Sequence, residues 1–450
     1  VSSRLYVYLI STVAALSGLL FGFDTAVING ALPFLRDEFR LADFEVELVA
    51  GVLLAGCILG AALAGVVSDR FGRRRALIVS AVVFAVASVA SALPRGLAEL
   101  ATARFAAGVA VGLASVLGPM YIAEVSPPRI RGRLVSINQL AIVLGVLAAF
   151  VINWRFATAG AGNWRWMFAT AALPSVAFWL GLLAIPESPR WLASKGDEAG
   201  ARRILERVAG AAEARRELEQ IRASLEIESA VSFRDLIGPV LRRPLVLAVV
   251  LAALGQITGI NTITYYGSIL LREQAGQSAS SAIGANVLIG AVNLVGTVVA
   301  MFTIDRIGRR ALLMAGATGM MVSLAALGFA FHQATRPFFL IVALILAYVF
   351  SFAVSFGPGV WVYISELFPN SARGRAMSIA TMSVWVSCLS VTLTFLTLVR
   401  TFTTAGAFWF YSVVCAATFV FVARMLPETK GRTLEEIQAL WEPESASVPR

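Results

Sequence analysis

The 450-residue chain is 58% hydrophobic and only 14% charged, with a mean hydropathy of +0.80, whereas a soluble domain is roughly half apolar and a quarter charged. The surplus needs an apolar solvent and excludes an ordinary soluble domain. A formal charge of +10 would direct a soluble protein toward nucleic acid; here the charge lies in short segments between apolar runs, so the expected partner is the lipid bilayer and not nucleic acid.

Runs long enough to cross a ~30 Å hydrocarbon core, which takes roughly 20 helical residues, recur throughout. In chain order they are 5–32, 46–68, 76–93, 97–119, 134–153, 164–185, 244–270, 280–304, 310–331, 338–364, 376–399 and 405–426. They predict an all-α integral membrane protein with twelve transmembrane helices. The first run leads directly into others, so it is expected to remain in the membrane and not to act as a cleaved signal. It carries Asp24 within LLFGFDTAVINGALPFL (19–35), where a charge costs from ~3 to more than ~10 kcal/mol and usually has a partner and a function. After the sixth run the composition changes abruptly. Residues 186–243 are charged, with Ile204, Leu205, Val208 and then Leu218, Ile221, Leu225 at helical spacing, the pattern of short amphipathic helices. The expected organisation is a first set of six spans (1–185), a cytoplasmic helical linker (186–243), a second set of six (244–426) and a cytoplasmic tail (427–450).

Charge placement sets orientation. Arg70, Arg73, Arg74 and Arg75 follow span two, Arg129, Arg131 and Arg133 follow span four, Arg306, Arg309 and Arg310 follow span eight, and Arg373 and Arg375 follow span ten. The loop after span one, from Arg36 to Glu47, is acidic on balance. The positive-inside rule therefore puts the basic loops and both termini in the cytoplasm. Cys57, Cys388 and Cys415 fall inside spans and read as small apolar fillers, with no spaced metal motif. The single histidine, His332, is given no role.

The two halves repeat. SDRFGRRRAL (68–77) returns as IDRIGRRALL (304–313), EVSPPRIRGRLVSI (124–137) as ELFPNSARGRAMSI (366–379), and PESPR (186–190) as PETKG (427–431), at offsets of 236, 242 and 241. Each half thus holds six spans in one topology. Parallel repeats of this kind build transporters with a midplane site between the halves. In D-R-x-G-R-R the glycine permits a tight turn. The arginines Arg73, Arg74, Arg131, Arg309, Arg310 and Arg373 can pair with Glu124, Glu187, Glu366 and Glu428 at neighbouring helix ends. Such pairs would form a cytoplasmic gate, a two-state latch, or else serve only to fix topology.

With these segments in place the chain resembles the sugar porter family of the major facilitator superfamily. The resemblance rests on DRFGRRR, PMYIAEVSPPRIRGR, PESPRWL, GINTITYY, DRIGRR, GPGVWVYISELFPNSARGRA and PETKGRTLEEI and covers essentially the whole chain. It implies two six-helix bundles around a central sugar site, with intracellular helices in the linker. Arg104 is the arginine lying well inside a span of the first half, in span four, and is the candidate partner of Asp24. Desolvation favours a protonated carboxylate and a nearby cation an ionised one, so a mobile Asp24–Arg104 pair would act as a proton switch; the alternative is a static salt bridge, which contributes little net stability when buried. The resemblance agrees, because proton-coupled sugar porters carry an acidic residue in F-G-[FY]-D of span one and an arginine in span four.

At midplane depth the remaining polar groups are amides, aromatics and hydroxyls, which suit a neutral polyol: amides both donate and accept hydrogen bonds and aromatics offer flat apolar surface. By resemblance Gln139, Gln256, Asn261, Asn293 and Trp361 are the sugar-contacting residues, with Phe21, Tyr265 and Trp385 as aromatic neighbours; each is otherwise read as an interhelical hydrogen bond or packing aromatic. Two positions depart from the family pattern. Gly255 stands where the first of two paired glutamines is usual, and Val384 where an amide precedes the tryptophan. Lost hydrogen-bond partners alter discrimination, which leaves a pentose, another hexose or a cyclitol beside glucose. The expected function is proton-coupled import of a monosaccharide, glucose or another hexose first, across the cytoplasmic membrane, by a monomer with no cofactor. The alternatives are a facilitative uniporter and, from a different class, a non-transporting sugar sensor. No nucleophile with a base and no metal-ligand cluster argues for an enzyme.

Overall fold

The computed structural model describes residues 3–128, 130–230, 233–274, 276, 278–333, 337–368, 370–431 and 436–437. Most of the expected tail, 427–450, lies outside them. The first half runs through α1 (Ser3–Phe39), α2 (Asp43–Phe71), α3 (Arg73–Ala92), α4 (Leu97–Val125), α5 (Arg131–Phe156), α6 (Asn163–Ala169) and α7 (Ala172–Ala184). The linker holds α8 (Pro189–Ser194), α9 (Glu198–Ala209), α10 (Ala211–Ala230) and α11 (Phe233–Leu236). The second half is α12 (Arg242–Ile257), α13 (Ile260–Ile269) with a π-helical turn Leu270–Gln274, α14 (Ala279–Ile307), α15 (Arg309–His332), α16 (Phe338–Val354), α17 (Phe356–Glu366), α18 (Asn370–Thr392) and α19 (Phe395–Met425).

Among the described residues eleven helical segments are long and apolar enough to cross a membrane. The expected eleventh span, 376–399, is corrected in its bounds: α18 stops at Thr392, and 395–399 already belong to α19. α18 is also the least apolar of the set, since Ser378, Thr381, Ser383, Ser387, Ser390 and Thr392 punctuate it. α19 is bent at Thr403, where φ is +67°.

Three expected spans are broken, each for a local reason. Span six divides at Thr170–Ala171, next to Pro174, whose ring nitrogen cannot donate to the Thr170 carbonyl. Span seven divides at Thr258–Gly259, where Gly259 has φ +93°, a left-handed conformation that favours glycine. Span ten divides at Ser355, because Pro358 cannot donate to Val354.

Close helix packing follows from small residues at four-residue spacing. Gly18 and Gly22 let α1 meet α5, and a Cβ at Gly22 would lie 1.8 Å from the Ile142 carbonyl oxygen. Gly56 and Gly60 of α2 face Gly108 and Gly112 of α4 in the same way. In the linker Ala201, Leu205, Ala214, Leu218 and Ile221 form a small core of their own, with Leu225 packed against it; of the apolar positions read from the spacing, Leu205, Leu218 and Ile221 belong to that core.

The chain forms two compact units that cut across the six-span halves. One comprises 1–225, 261–294 and 392–400, the other 226–260, 295–391 and 401–450. In the first unit, polar ties explain why 261–294 and 392–400 join the first-half helices. Asn29 Nδ2 donates to the carbonyls of Ile263 (3.0 Å) and Thr264 (2.8 Å), and its Oδ1 accepts from Ser268 N (3.0 Å). Arg36 reaches both oxygens of Glu273 at 2.9 Å and Asp43 at 2.7 Å, and Arg272 pairs with Asp37 at 2.8 Å. Glu47, expected in an acidic loop, is instead fully buried near the start of α2. It accepts from Thr397 N (2.9 Å) and Thr397 Oγ1 (3.0 Å).

Candidate functional site

Within the first unit the most unusual feature is a buried ion pair at mid-helix. Asp24 of α1 is 3% exposed and Arg104 of α4 is 1% exposed. Arg104 Nη1 lies 2.5 Å from Asp24 Oδ1, and Nη2 makes a long contact, 3.5 Å, to the Asp24 carbonyl. Asp24 Oδ2 and Arg104 Nε have no hydrogen-bond partner among the described residues. The pair is therefore single-pronged, although guanidinium and carboxylate can bind through two parallel bonds. A pair with one oxygen free holds the carboxylate near a cation while leaving an atom on which a proton can sit. The guanidinium also lies over the ring of Phe168 in α6, with Arg104 Cζ 5.2 Å from the ring centroid.

The expected sugar residues divide between the units. In the first, Ser17 Oγ donates to Asn138 Oδ1 (3.4 Å), and Gly18 and Gly22 press on Asn138 and Ile142. Gln139 therefore stands on α5 opposite the stretch of α1 that holds Phe21, and both are half-buried. Asn261 on α13 and Asn293 on α14 are also half-buried, whereas Tyr265 is 2% exposed. In the second unit Gly255 packs against Val360 and Phe356. Gln256 and Trp361 are the residues after Gly255 on α12 and after Val360 on α17, and both are half-buried. Trp385 of α18 is 4% exposed. Six of the eight thus retain open surface, while Tyr265 and Trp385 are enclosed. The break at Gly259 falls between Gln256 and Asn261, and the break at Ser355 falls shortly before Trp361. Discontinuous helices of this kind typically form the binding sites of transporters.

At the basic ends of the helices the same residue pairings recur within each unit. In the first, Arg73 binds Glu124 (Nε to Oε2, 3.1 Å) and Asp69 (3.0 Å), and Ser188 Oγ donates to Glu124 at 2.5 Å. In the second, Arg309 binds Glu366 (2.9 Å) and Asp305 (2.8 Å), and Thr429 Oγ1 donates to Glu366 at 2.6 Å. Gly72 and Gly308 have φ of +96° and +104°, which brings the following backbone onto a carboxylate. Arg74 N donates to Glu187 (3.0 Å), and Arg309 N and Arg310 N donate to Glu428 (3.0 and 3.1 Å). Tyr121 and Tyr363 donate to the carbonyls of Pro186 (2.7 Å) and Pro427 (2.8 Å).

The pairing expected from sequence is adjusted in detail. The Arg74 side chain donates to the carbonyls of Leu182 and Leu183, and that of Arg310 to the carbonyl of Ala423, so these two do not face a glutamate with their guanidinium. Arg131 caps Ser126 (3.3 Å) and pairs with Glu217 of α10 (3.2 Å), while Arg373 caps Phe368 (3.3 Å). Burial pushes the Glu217 carboxyl above the ordinary range, against the opposing pull of Arg131. Asn29, Glu217 and Phe168 carry no role in the reading of the sequence, and Glu47 is there only a loop carboxylate. For Asn29 and Glu47 the available signal was a polar side chain flanked by apolar residues.

A family profile described as "Sugar (and other) transporter" matches residues 10–441. The arabinose-proton symporter of Bacillus subtilis (strain 168) is 39% identical over 442 residues, covering 97% of this chain and 95% of that protein. The D-xylose-proton symporter of Escherichia coli (strain K12) is 37% identical over 478 residues, covering 98% and 96%. Among solved structures, the xylose transporter XylE from E. coli in a partially occluded inward open conformation superposes with a TM-score of 0.85 at 34% identity, covering 95% of this chain and 99% of that one.

Proposed function

The chain belongs to the sugar (and other) transporter family, and from that premise we propose that this multi-pass membrane protein imports a monosaccharide together with a proton by alternating access. The observation that carries the proton step is the single-pronged Asp24–Arg104 pair with Asp24 Oδ2 unbonded. In this reading a proton from outside binds Asp24 and weakens its hold on Arg104, which frees α1 and α4 to change their packing. Deprotonation on the cytoplasmic side restores the pair. The groups assigned to the sugar are, in the first unit, the amides Gln139, Asn261 and Asn293 with the rings of Phe21 and Tyr265, and, in the second, the amide Gln256 with the rings of Trp361 and Trp385; amides suit its hydroxyls and rings its apolar face. The basic loops and both termini face the cytoplasm, where the Arg73–Glu124 and Arg309–Glu366 clusters stiffen the helix ends that the gate moves.

Among monosaccharides we place a pentose ahead of the hexose that the sequence first suggests. Gly255 and Val384 remove two side-chain amides from the family's pattern, and a pentose presents one hydroxyl fewer to be satisfied. The relatives named for arabinose and xylose support the same choice.

The test is uptake of labelled arabinose, xylose, glucose, galactose and inositol into proteoliposomes, with and without an inward proton gradient, by wild type and Asp24→Asn. The expected result is one pentose accumulating above equilibrium only with the gradient, and Asp24→Asn equilibrating that sugar without accumulating it. Accumulation intact in Asp24→Asn would remove the proton role from Asp24; equilibration by wild type would make the protein a uniporter.

A further inference from the structure

Resting on the proton reading above, we propose that Phe168 is a positioning residue of the coupling site: its ring face is the resting place of the Arg104 guanidinium when Asp24 takes up a proton. The inference starts from what Arg104 lacks. Among the described residues its one ion-pair partner is Asp24 and its Nε has no hydrogen-bond partner, and it is 1% exposed. Once Asp24 is neutral, the cation would stand unpaired inside the bundle, a costly state. The Phe168 ring, itself 1% exposed and 5.2 Å from Cζ, already faces the guanidinium. An aromatic face attracts a cation most strongly where water is excluded.

Phe168 is also held in place. The Trp164 ring meets it edge-on at 6.2 Å and 81°. Trp164 is fully buried and donates through Nε1 to Glu38 at 2.5 Å, while Arg165 stacks on the Trp164 ring at 4.3 Å and pairs with Glu38 at 3.2 Å. This bracket ties α6 to the end of α1 and fixes the height of Phe168 opposite Arg104. The charged groups around the pair are few. α5 carries Arg131, Arg133 and Arg155 near its two ends, α2 carries Asp43, Glu45, Glu47, Asp69 and Arg70 near its ends, α3 carries Arg73, Arg74 and Arg75 at its start, α6 carries Arg165, and α7 carries none. Arg272 and Glu273, beyond α13, lie at the same end as Arg36. Among the described residues Asp24 and Arg104 are thus the charged side chains at this depth, and the Phe168 ring is an aromatic face presented to the cation.

The consequence is a pH effect with a definite sign. Removing the ring face raises the free energy of the state in which Asp24 is protonated and Arg104 released, so a higher proton concentration is needed to drive uptake. We therefore expect the pH of half-maximal proton-driven uptake to fall by about one unit in Phe168→Leu, a ten-fold loss of proton affinity. Because the leucine variant also changes volume, 3,4,5-trifluorophenylalanine is introduced at the same position, keeping the ring's bulk while emptying its face of negative potential. It should shift the midpoint in the same direction, while sugar counterflow at saturating proton concentration stays at the wild-type level. A midpoint unchanged by the fluorinated ring, with Asp24→Asn still unable to accumulate sugar, would overturn the role of Phe168 and leave the proton reading standing. Accumulation intact in Asp24→Asn would overturn both.

Discussion

Asp24 is an acid in a setting that disfavours charge, and its single partner decides what removing either member does. Loss of Arg104 leaves a buried carboxylate without a cation, which is destabilising by about 3–5 kcal/mol, whereas replacing both charges by neutral groups is often close to neutral. We therefore expect Arg104→Leu to lower the thermal midpoint of the purified protein markedly and Asp24→Asn/Arg104→Leu to recover most of that loss; a double variant as unstable as the single one would mean that Arg104 contributes through packing on Phe168 and not through Asp24. The side chains around the pair differ in how far the sequence announced them. Asp24 and Arg104 stand out because a charge in an apolar run is rare. Phe168 did not, because one aromatic among many in apolar helices carries no mark of what it faces. Glu47 was misread for a related reason: a carboxylate one turn inside a helix looks like the loop beside it until Thr397, 350 residues away in sequence, supplies its hydrogen bonds.

At the scale of elements, packing is set by glycine rows. α1 and α5 approach until a Cβ at Gly22 would overlap the Ile142 carbonyl oxygen at 1.8 Å, so backbone, which cannot swing aside, would have to move. Gly22→Ala should cost about 1–3 kcal/mol as overpacking and separate two helices that bear candidate site residues. In contrast, Gly255→Ala meets only ordinary contacts, with the nearest atoms 3.7 and 3.8 Å from the added carbon, and should fold like wild type. Thermal midpoints of the two variants in one detergent check this contrast, and equal losses would contradict it. Hydropathy made the spans legible, and the duplicated D-R-x-G-R-R, R-G-R and P-E segments made the repeat legible, because both are written in residue type alone. The interruptions at Gly259 and Ser355 were less so. A glycine or proline in a span need not break the helix, and which outcome holds depends on neighbours such as Tyr411, whose ring lies 2.9 Å from where a Cβ of Gly259 would be.

For the whole molecule, the repeat and the charge distribution constrain each other. Twelve spans in two parallel sets of six require equivalent loops of the two halves to lie on one side, and the arginine clusters at 70–75 and 306–310 are such loops. Their near-identical hydrogen bonding, down to the carboxylates of Glu187 and Glu428 accepting from the turn that follows Gly72 and Gly308, is what duplicated ends under the same local conditions should produce. Positive charge is retained on the cytoplasmic side, so both clusters should be inside and the loop between α5 and α6 outside. The native cysteines Cys57, Cys388 and Cys415 are buried, which leaves a low background for labelling of introduced thiols. A membrane-impermeant maleimide added to intact cells is expected to label Ala159→Cys and to spare Arg70→Cys and Arg306→Cys; in inverted vesicles the pattern should reverse. Labelling of one arginine position but not the other from the same side would break the parallel topology itself, whereas both labelling from outside would preserve the repeat and invert the orientation, and with it the direction in which Asp24 receives its proton.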